Sequence, residues 1–122
     1  MIVGIGTDLI EINRVVRACE KEAFRKKYFT AEEIDLAIIY KQKFADNFAV
    51  KEAVSKMLGT GFRSIKPIEI EVLRDPLGKP YVNLYGLALE ISNSLAISSI
   101  FVSITNTKEY AGAVAVGESN VR

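Results

Sequence analysis

Two side chains in this sequence are the first candidates for chemistry: the carboxylates of Asp8 and Glu52. Two carboxylates from separate elements suit Mg²⁺ when water and substrate phosphates complete its coordination. Catalytic systems that need histidine are excluded, because the chain contains none. Neither a P-loop nor a dinucleotide-binding fingerprint is present. The residues therefore favour chemistry that uses no protein nucleophile.

Asp8 follows a short apolar segment in which Gly4, Gly6 and Asp8 share one face by strand alternation. Glycines beside an acid allow a ligand or another backbone to approach it closely. The other interpretation is that Asp8 caps a following helix, a role that aspartate fills well. The residues alone leave both interpretations open.

Glu52 lies on the apolar arc of a predicted helix, in the same arc as Ala45, Phe48 and Ala49. A carboxylate in such surroundings needs a cation or strong donors to stay ionised. Lys56 is four residues further on, in the favourable order for a helical ion pair. Metal binding and a simple Glu52–Lys56 pair therefore both remain possible.

A basic ridge, defined as Arg14, Arg17, Lys21 and Arg25, projects from one side of a predicted first helix. Residues 14–27 contain six basic and two acidic side chains, a local charge of +4, although the whole chain carries only +1. The ridge is either a solvated helix face or a docking surface for an acidic protein.

The elements that must position these residues follow from periodicity and turn signals. We predict one α+β domain over residues 1–122, with a capping box at Thr30 and Glu33 and a turn at 75–78. The predicted strands are 2–7, 68–72 with one wet face, 79–84, 100–105 and 111–116. The predicted helices are 9–28 (one helix or two pieces), 31–40, 44–58 and 87–94.

Composition limits the setting of the protein. The near-neutral charge gives no global field for nucleic acid or an anionic membrane, and no apolar run reaches the ~18 residues of a membrane helix. The N-terminus lacks the pattern of a signal peptide. A single cysteine, Cys19, cannot form an intramolecular disulfide. We expect a soluble, cytoplasmic protein that binds neither nucleic acid nor membrane.

Five ordered blocks give the sequence a specific family resemblance. They are residues 4–11 (GIGTDLIE), 48–56 (FAVKEAVSK), 58–61 (LGTG), 78–80 (GKP) and 102–111 (VSITNTKEYA). Together they resemble the holo-acyl-carrier-protein synthase family of 4'-phosphopantetheinyl transferases. The resemblance implies that family's fold, a small mixed or antiparallel sheet packed with a long central helix. It also implies a homotrimer with active sites between subunits.

The resemblance further implies a reaction and a set of site residues. The reaction is Mg²⁺-dependent transfer of phosphopantetheine from coenzyme A to a serine of an apo acyl carrier protein, which releases adenosine 3',5'-bisphosphate. Asp8 and Glu52 would hold the metal, Lys56 would neutralise charge at the reacting phosphate, and the basic ridge would dock the acidic carrier. The residues that would contact coenzyme A are Lys56, Gly59, Pro80, Ser103, Asn106 and Thr107.

Two positions depart from the family pattern, which usually has histidine at Asn106 and arginine at Asn47. Each asparagine removes a possible positive charge from the site of a phosphate-rich ligand. The alternative function is therefore a catalytically impaired homologue that binds the carrier protein or a nucleotide. A third hypothesis is a structural trimer subunit in which the acids only cap helices and form ion pairs.

Overall fold

The computed structural model describes residues 1–121 and has an α+β fold with two antiparallel sheets. The larger sheet has the order β1–β5–β4, from the strands Ile2–Glu11, Tyr110–Glu118 and Ser99–Asn106. The smaller sheet is a hairpin of β2 (Ile70–Arg74) and β3 (Pro80–Leu84). The predicted α+β class is confirmed, and the strand pairing within both sheets is antiparallel.

The longest helix, α4 (Gln42–Met57), packs against β1 and β5 and carries the centre of the core. Ala45, Ala49 and Ala53 are fully buried on it, so the sheet backbone can come close. The closest approach is at Gly6 of β1, where a Cβ atom would lie 2.7 Å from the Met57 amide nitrogen. The glycine face of β1 is therefore filled by the α4 backbone, which leaves no space there for a ligand.

Four shorter helices complete the fold: α1 (Ile12–Ala18), α2 (Glu22–Tyr28), α3 (Ala31–Ala37) and α5 (Gly86–Ser94). The predicted capping box opens α3, where the Glu33 amide donates to Thr30 Oγ1 (3.3 Å) and the Thr30 amide donates to Glu33 Oε1 (3.1 Å). Helix α4 ends as predicted before Gly59, whose φ of +84° suits glycine. Within residues 1–121, no helix is both long and apolar enough to cross a membrane.

A buried polar cluster joins α3, α4 and β2 beneath the larger sheet. The fully buried Lys51 ammonium donates to Glu33 Oε1 (2.7 Å) and to the carbonyl oxygens of Pro67 (3.0 Å) and Ile70. Asn47 donates to Glu33 Oε2 (3.0 Å) and to the Val72 carbonyl (2.9 Å). Burial raises the pKa of Glu33 and lowers that of Lys51, and the charge of each partner opposes the shift. Asn47 is therefore a core residue held within this cluster.

Several predicted element boundaries are wrong. Strand β1 continues past Asp8 to Glu11, so Asp8 caps no helix. The segment predicted as helical from residue 9 forms two helices that begin only at Ile12. Helix α3 stops at Ala37, three residues short of the predicted end. The wet face predicted for residues 68–72 is also wrong, because a short 3₁₀ turn occupies Pro67–Glu69 and Glu71 is buried.

Candidate functional site

An acidic cleft of about 600 Å³ lies between β1, α1, α2 and α4. Its charged lining residues are Asp8, Glu11, Arg14 and Glu52. Asp8 points toward α4 because it shares the strand face of Gly4 and Gly6, the two positions where that helix comes closest. The two predicted metal ligands, from elements more than 40 residues apart, therefore line the same cleft.

Lys56 forms its ion pair with Asp8 and not with the helical neighbour expected from spacing. Its Nζ lies 3.0 Å from Asp8 Oδ1 and 3.1 Å from the Thr7 carbonyl oxygen. No Glu52–Lys56 ion pair within 4.0 Å occurs in the described part of the chain. The predicted alternative of a simple helical pair is therefore wrong. The lysine side chain is 51% exposed, whereas Asp8 is 14% exposed.

The electrostatics of Glu52 fit a cation between the two acids. Its pKa is raised, first by partial burial and then by the negative charge of Asp8, while Lys56 acts in the opposite direction. A half-buried carboxylate whose ionisation is opposed by a neighbouring acid is stabilised by a positive charge beside it. Two acids are few for a protein-only cage, but they suit Mg²⁺ that keeps water and binds substrate phosphate. The donor set thus fits the metal predicted from the sequence.

Aromatic side chains form part of the wall of the acidic cleft. Phe24 and Tyr28 of α2 stack with ring centroids 4.3 Å apart, and Tyr28 lies 6.1 Å from Phe48 of α4. All three rings line the cleft. This wall was not predicted, because its residues come from two elements whose approach depends on the tertiary fold.

The basic ridge is divided by the break between α1 and α2. Arg14 and Arg17 lie on α1, Lys21 precedes α2, and Arg25 lies on α2. The predicted ridge along one continuous helix is therefore wrong. Arg25 Nη1 donates to the Cys19 carbonyl (2.7 Å), so Arg25 also stabilises the corner between the helices.

A second cavity, the β4 cleft, holds half of the residues predicted to contact coenzyme A. It measures about 640 Å³ and lies between the start of α4, the β2–β3 hairpin and β4. Pro80, Ser103 and Asn106 line it, and Asn106 Nδ2 donates to Asp46 Oδ1 (3.1 Å). Sequence reasoning missed Asp46 and three cations of this cleft: Lys43, Arg74 and Lys79. Only Lys79 carried a signal, since it lies within the GKP motif.

The remaining predicted contact residues lie elsewhere on the chain. Gly59 follows the C-terminus of α4, and Thr107 lies in the β4–β5 turn, where its Oγ1 accepts from the Tyr110 amide (3.0 Å). Asp8 pairs with Ala113, and Ala113 with Ile104, so Asp8 shares a sheet face with Ile104 and not with Ser103. Within one chain, the predicted metal ligands and Ser103 therefore lie on opposite faces of the sheet.

Comparison with known proteins places this geometry in a family. The family described as the 4'-phosphopantetheinyl transferase superfamily matches residues 4–115. The chain belongs to that superfamily. A holo-[acyl-carrier-protein] synthase of Lachnoclostridium phytofermentans is 60% identical over 118 residues, which cover 97% of each chain. The resemblance and the enzyme class predicted from the sequence are confirmed.

Solved structures agree with the fold. The holo-[acyl-carrier-protein] synthase of Neisseria meningitidis superposes with a TM-score of 0.85 at 33% identity, over 98% of this chain and all (100%) of that one. The Helicobacter pylori synthase in complex with coenzyme A superposes with a TM-score of 0.79 at 29% identity, over 93% and 99%. The predicted transferase fold is thereby confirmed.

Proposed function

We propose that this chain transfers the 4'-phosphopantetheine group from coenzyme A to a serine hydroxyl of an apo acyl carrier protein. The serine oxygen forms a bond to the pantetheine-side phosphorus and its proton passes to water or a carboxylate, while the bond from that phosphorus to the bridging oxygen breaks and adenosine 3',5'-bisphosphate leaves. The observation that carries this proposal is the pairing of Asp8 and Glu52 in one cleft beside the basic α1. The relatives named as holo-[acyl-carrier-protein] synthases support it.

We assign Mg²⁺ to Asp8 and Glu52. When bound, the ion would neutralise charge on the pyrophosphate of the substrate. The protein side chains act alongside it. The Lys56 ammonium, half exposed and held by Asp8, is available to offset negative charge that develops on the leaving phosphate. Positioning and charge neutralisation supply most of the catalysis in phosphoryl transfer.

The carrier protein is proposed to dock on the α1 side of the acidic cleft. Arg14 lines the cleft itself, and Arg17 and Lys21 are exposed next to it. Complementary charge would steer an acidic carrier and fix its register. The rings of Phe24, Tyr28 and Phe48 offer an apolar wall against which the arriving group can pack.

We propose a homotrimer with coenzyme A bound between subunits. The sheet face opposite α4 bears a cross-strand row of Ile5, Val116 and Phe101, in which Ile5 is 65% and Phe101 is 53% exposed. Such a row favours burial against another protein surface. Ser103 lies on this same face, so a neighbouring copy that covers the row could bring its own acidic cleft to it. The trimer and the cytoplasmic location stay predictions.

The alternative of an impaired homologue rests on Asn106 and Asn47, which lack the positive charge of the family's usual residues. Transfer to apo carrier protein in the presence of Mg²⁺ and coenzyme A decides between the two functions. We expect a mass increase of one phosphopantetheine group on the carrier. Glu52→Gln should abolish this increase, whereas Glu90→Gln, on the exposed face of α5, should leave it unchanged. Binding of carrier without any mass increase would contradict the transferase proposal.

A further inference from the structure

The β4 cleft contains an arginine with an unusual combination of burial and missing partners. The Arg74 side chain is partly buried, and its Nη1 donates to the carbonyl oxygen of Leu73 (3.3 Å). In the portion of the chain that the structure describes, no carboxylate oxygen lies within 4.0 Å of its guanidinium. Burial lowers the pKa of Arg74, which reflects the cost of desolvating its charge. An anion in the cleft would offset that cost.

Two more cations face the same space. Lys43 comes from the first turn of α4 and Lys79 from the β2–β3 turn, so three separate elements deliver positive charge to one cleft. Lys79 is exposed, whereas Lys43 and Arg74 are both partly buried. A planar guanidinium can bind two oxygens of a phosphate monoester with two parallel hydrogen bonds in a fixed geometry, whereas an ammonium acts as a point charge on a flexible stem. Arg74 is therefore best suited to distinguish a phosphate from a hydroxyl.

Asp46 supplies the opposing charge in this cleft. Its carboxylate is 9% exposed and accepts the hydrogen bond from Asn106 Nδ2. Burial raises the pKa of Asp46, and Asn106, Arg74, Lys43 and Gln42 oppose that shift. The acid thus fixes the Asn106 amide and reduces the net positive field around Arg74. A phosphate that enters the cleft meets attraction from Arg74 and repulsion from Asp46.

We propose that Arg74 binds the phosphate monoester at the nucleotide end of the substrate, and that Asp46 limits this preference by opposing its charge. The inference rests on the proposed function, because it takes coenzyme A as the ligand of the β4 cleft. It makes Arg74 a binding residue and Asp46 a positioning residue. The positive charge that Asn106 does not supply comes instead from β2.

The test compares two nucleotides that differ only in one phosphate. Titration calorimetry of the intact protein would give the Kd of adenosine 3',5'-bisphosphate and of adenosine 5'-monophosphate. We expect Arg74→Gln to reduce the preference for the bisphosphate by about 10- to 100-fold, as for a lost hydrogen-bonded charge pair. We expect Asp46→Asn, which keeps an acceptor for Asn106, to increase the preference severalfold. Lys66→Gln, a surface charge away from the cleft, is the matched control and should change neither Kd.

The outcomes separate this inference from the proposed function. If the wild type transfers phosphopantetheine but Arg74→Gln leaves the nucleotide preference unchanged, the role of Arg74 is refuted while the transferase stands. If the wild type shows no transfer but both variants shift the preference in opposite directions, the nucleotide site stands while the transferase proposal falls. A loss of preference in Asp46→Asn equal to that in Arg74→Gln would refute the opposing role of Asp46.

Discussion

Gly6 is the position where an added methyl group should most disturb the geometry of the acidic cleft. A Cβ atom there would lie 2.7 Å from the Met57 amide nitrogen and nearer still to the Ala53 carbonyl oxygen. Since ordinary contact begins at 3.4 Å, β1 and α4 must separate by at least 0.7 Å, the difference between these distances. Asp8 is on β1 and Glu52 is on α4, so the two acids would move apart.

We expect Gly6→Ala to reduce kcat/KM by about 100-fold, because a displacement of about 1 Å can cost that much in a positioned site. The overpacked contact should also lower the free energy of unfolding by about 1–3 kcal/mol. The assay is carrier-protein modification at saturating Mg²⁺, corrected for the folded fraction measured by urea denaturation.

Gly112→Ala is the matched control in the same sheet. A Cβ atom at Gly112 would have its nearest contacts at 3.6 Å, from the Asp8 and Thr105 carbonyl oxygens and the Leu9 side chain. This variant should keep wild-type activity and stability. Wild-type activity in folded Gly6→Ala, or an equal loss in both variants, would refute the idea that close approach of β1 to α4 aligns the acids.

Three other predictions concern the buried pair, the docking surface and pH. Lys51→Met should lower the free energy of unfolding by about 3–5 kcal/mol, because it leaves Glu33 buried without its cation; adding Glu33→Gln should recover part of this in a urea double-mutant cycle. Arg17→Glu should raise the KM for the carrier severalfold and leave the KM for coenzyme A alone; unchanged carrier kinetics would remove α1 from the docking surface. Because the pKa of Asp46 is raised in the folded protein, the folded state loses stability as pH rises above the ordinary pKa of 3.8. Asp46→Asn should therefore be more stable than the wild type only above that pH, which thermal melts at several pH values would test.

The parts of the fold that follow from local pattern could be predicted from sequence. The capping box at Thr30, the end of α4 before Gly59 and the turn before Pro80 depend on near neighbours in the chain. The extension of β1 could not be predicted, because its residues after Asp8 fit a helical pattern and become a strand by pairing with β5, about 100 residues later.

The two acids of the candidate site could be predicted from the sequence, whereas the residues around them could not. Asp8 and Glu52 carry family motifs, so the resemblance identified them. The partner of Lys56 depended on a β1–α4 contact that spacing does not reveal, and the helical rule gave the wrong acid. Lys51 looks like a surface residue in sequence, because its burial depends on Glu33 from another helix.

The anchoring of Lys51 has a consequence for the residue that follows it. Its ammonium is bound on three sides by α3, the 3₁₀ turn and β2, so α4 cannot rotate about its own axis without breaking those bonds. Neighbouring helical residues point about 100° apart. The buried Lys51 ammonium thus helps to hold Glu52 toward the cleft, in addition to the packing of α4 against β1 and β5.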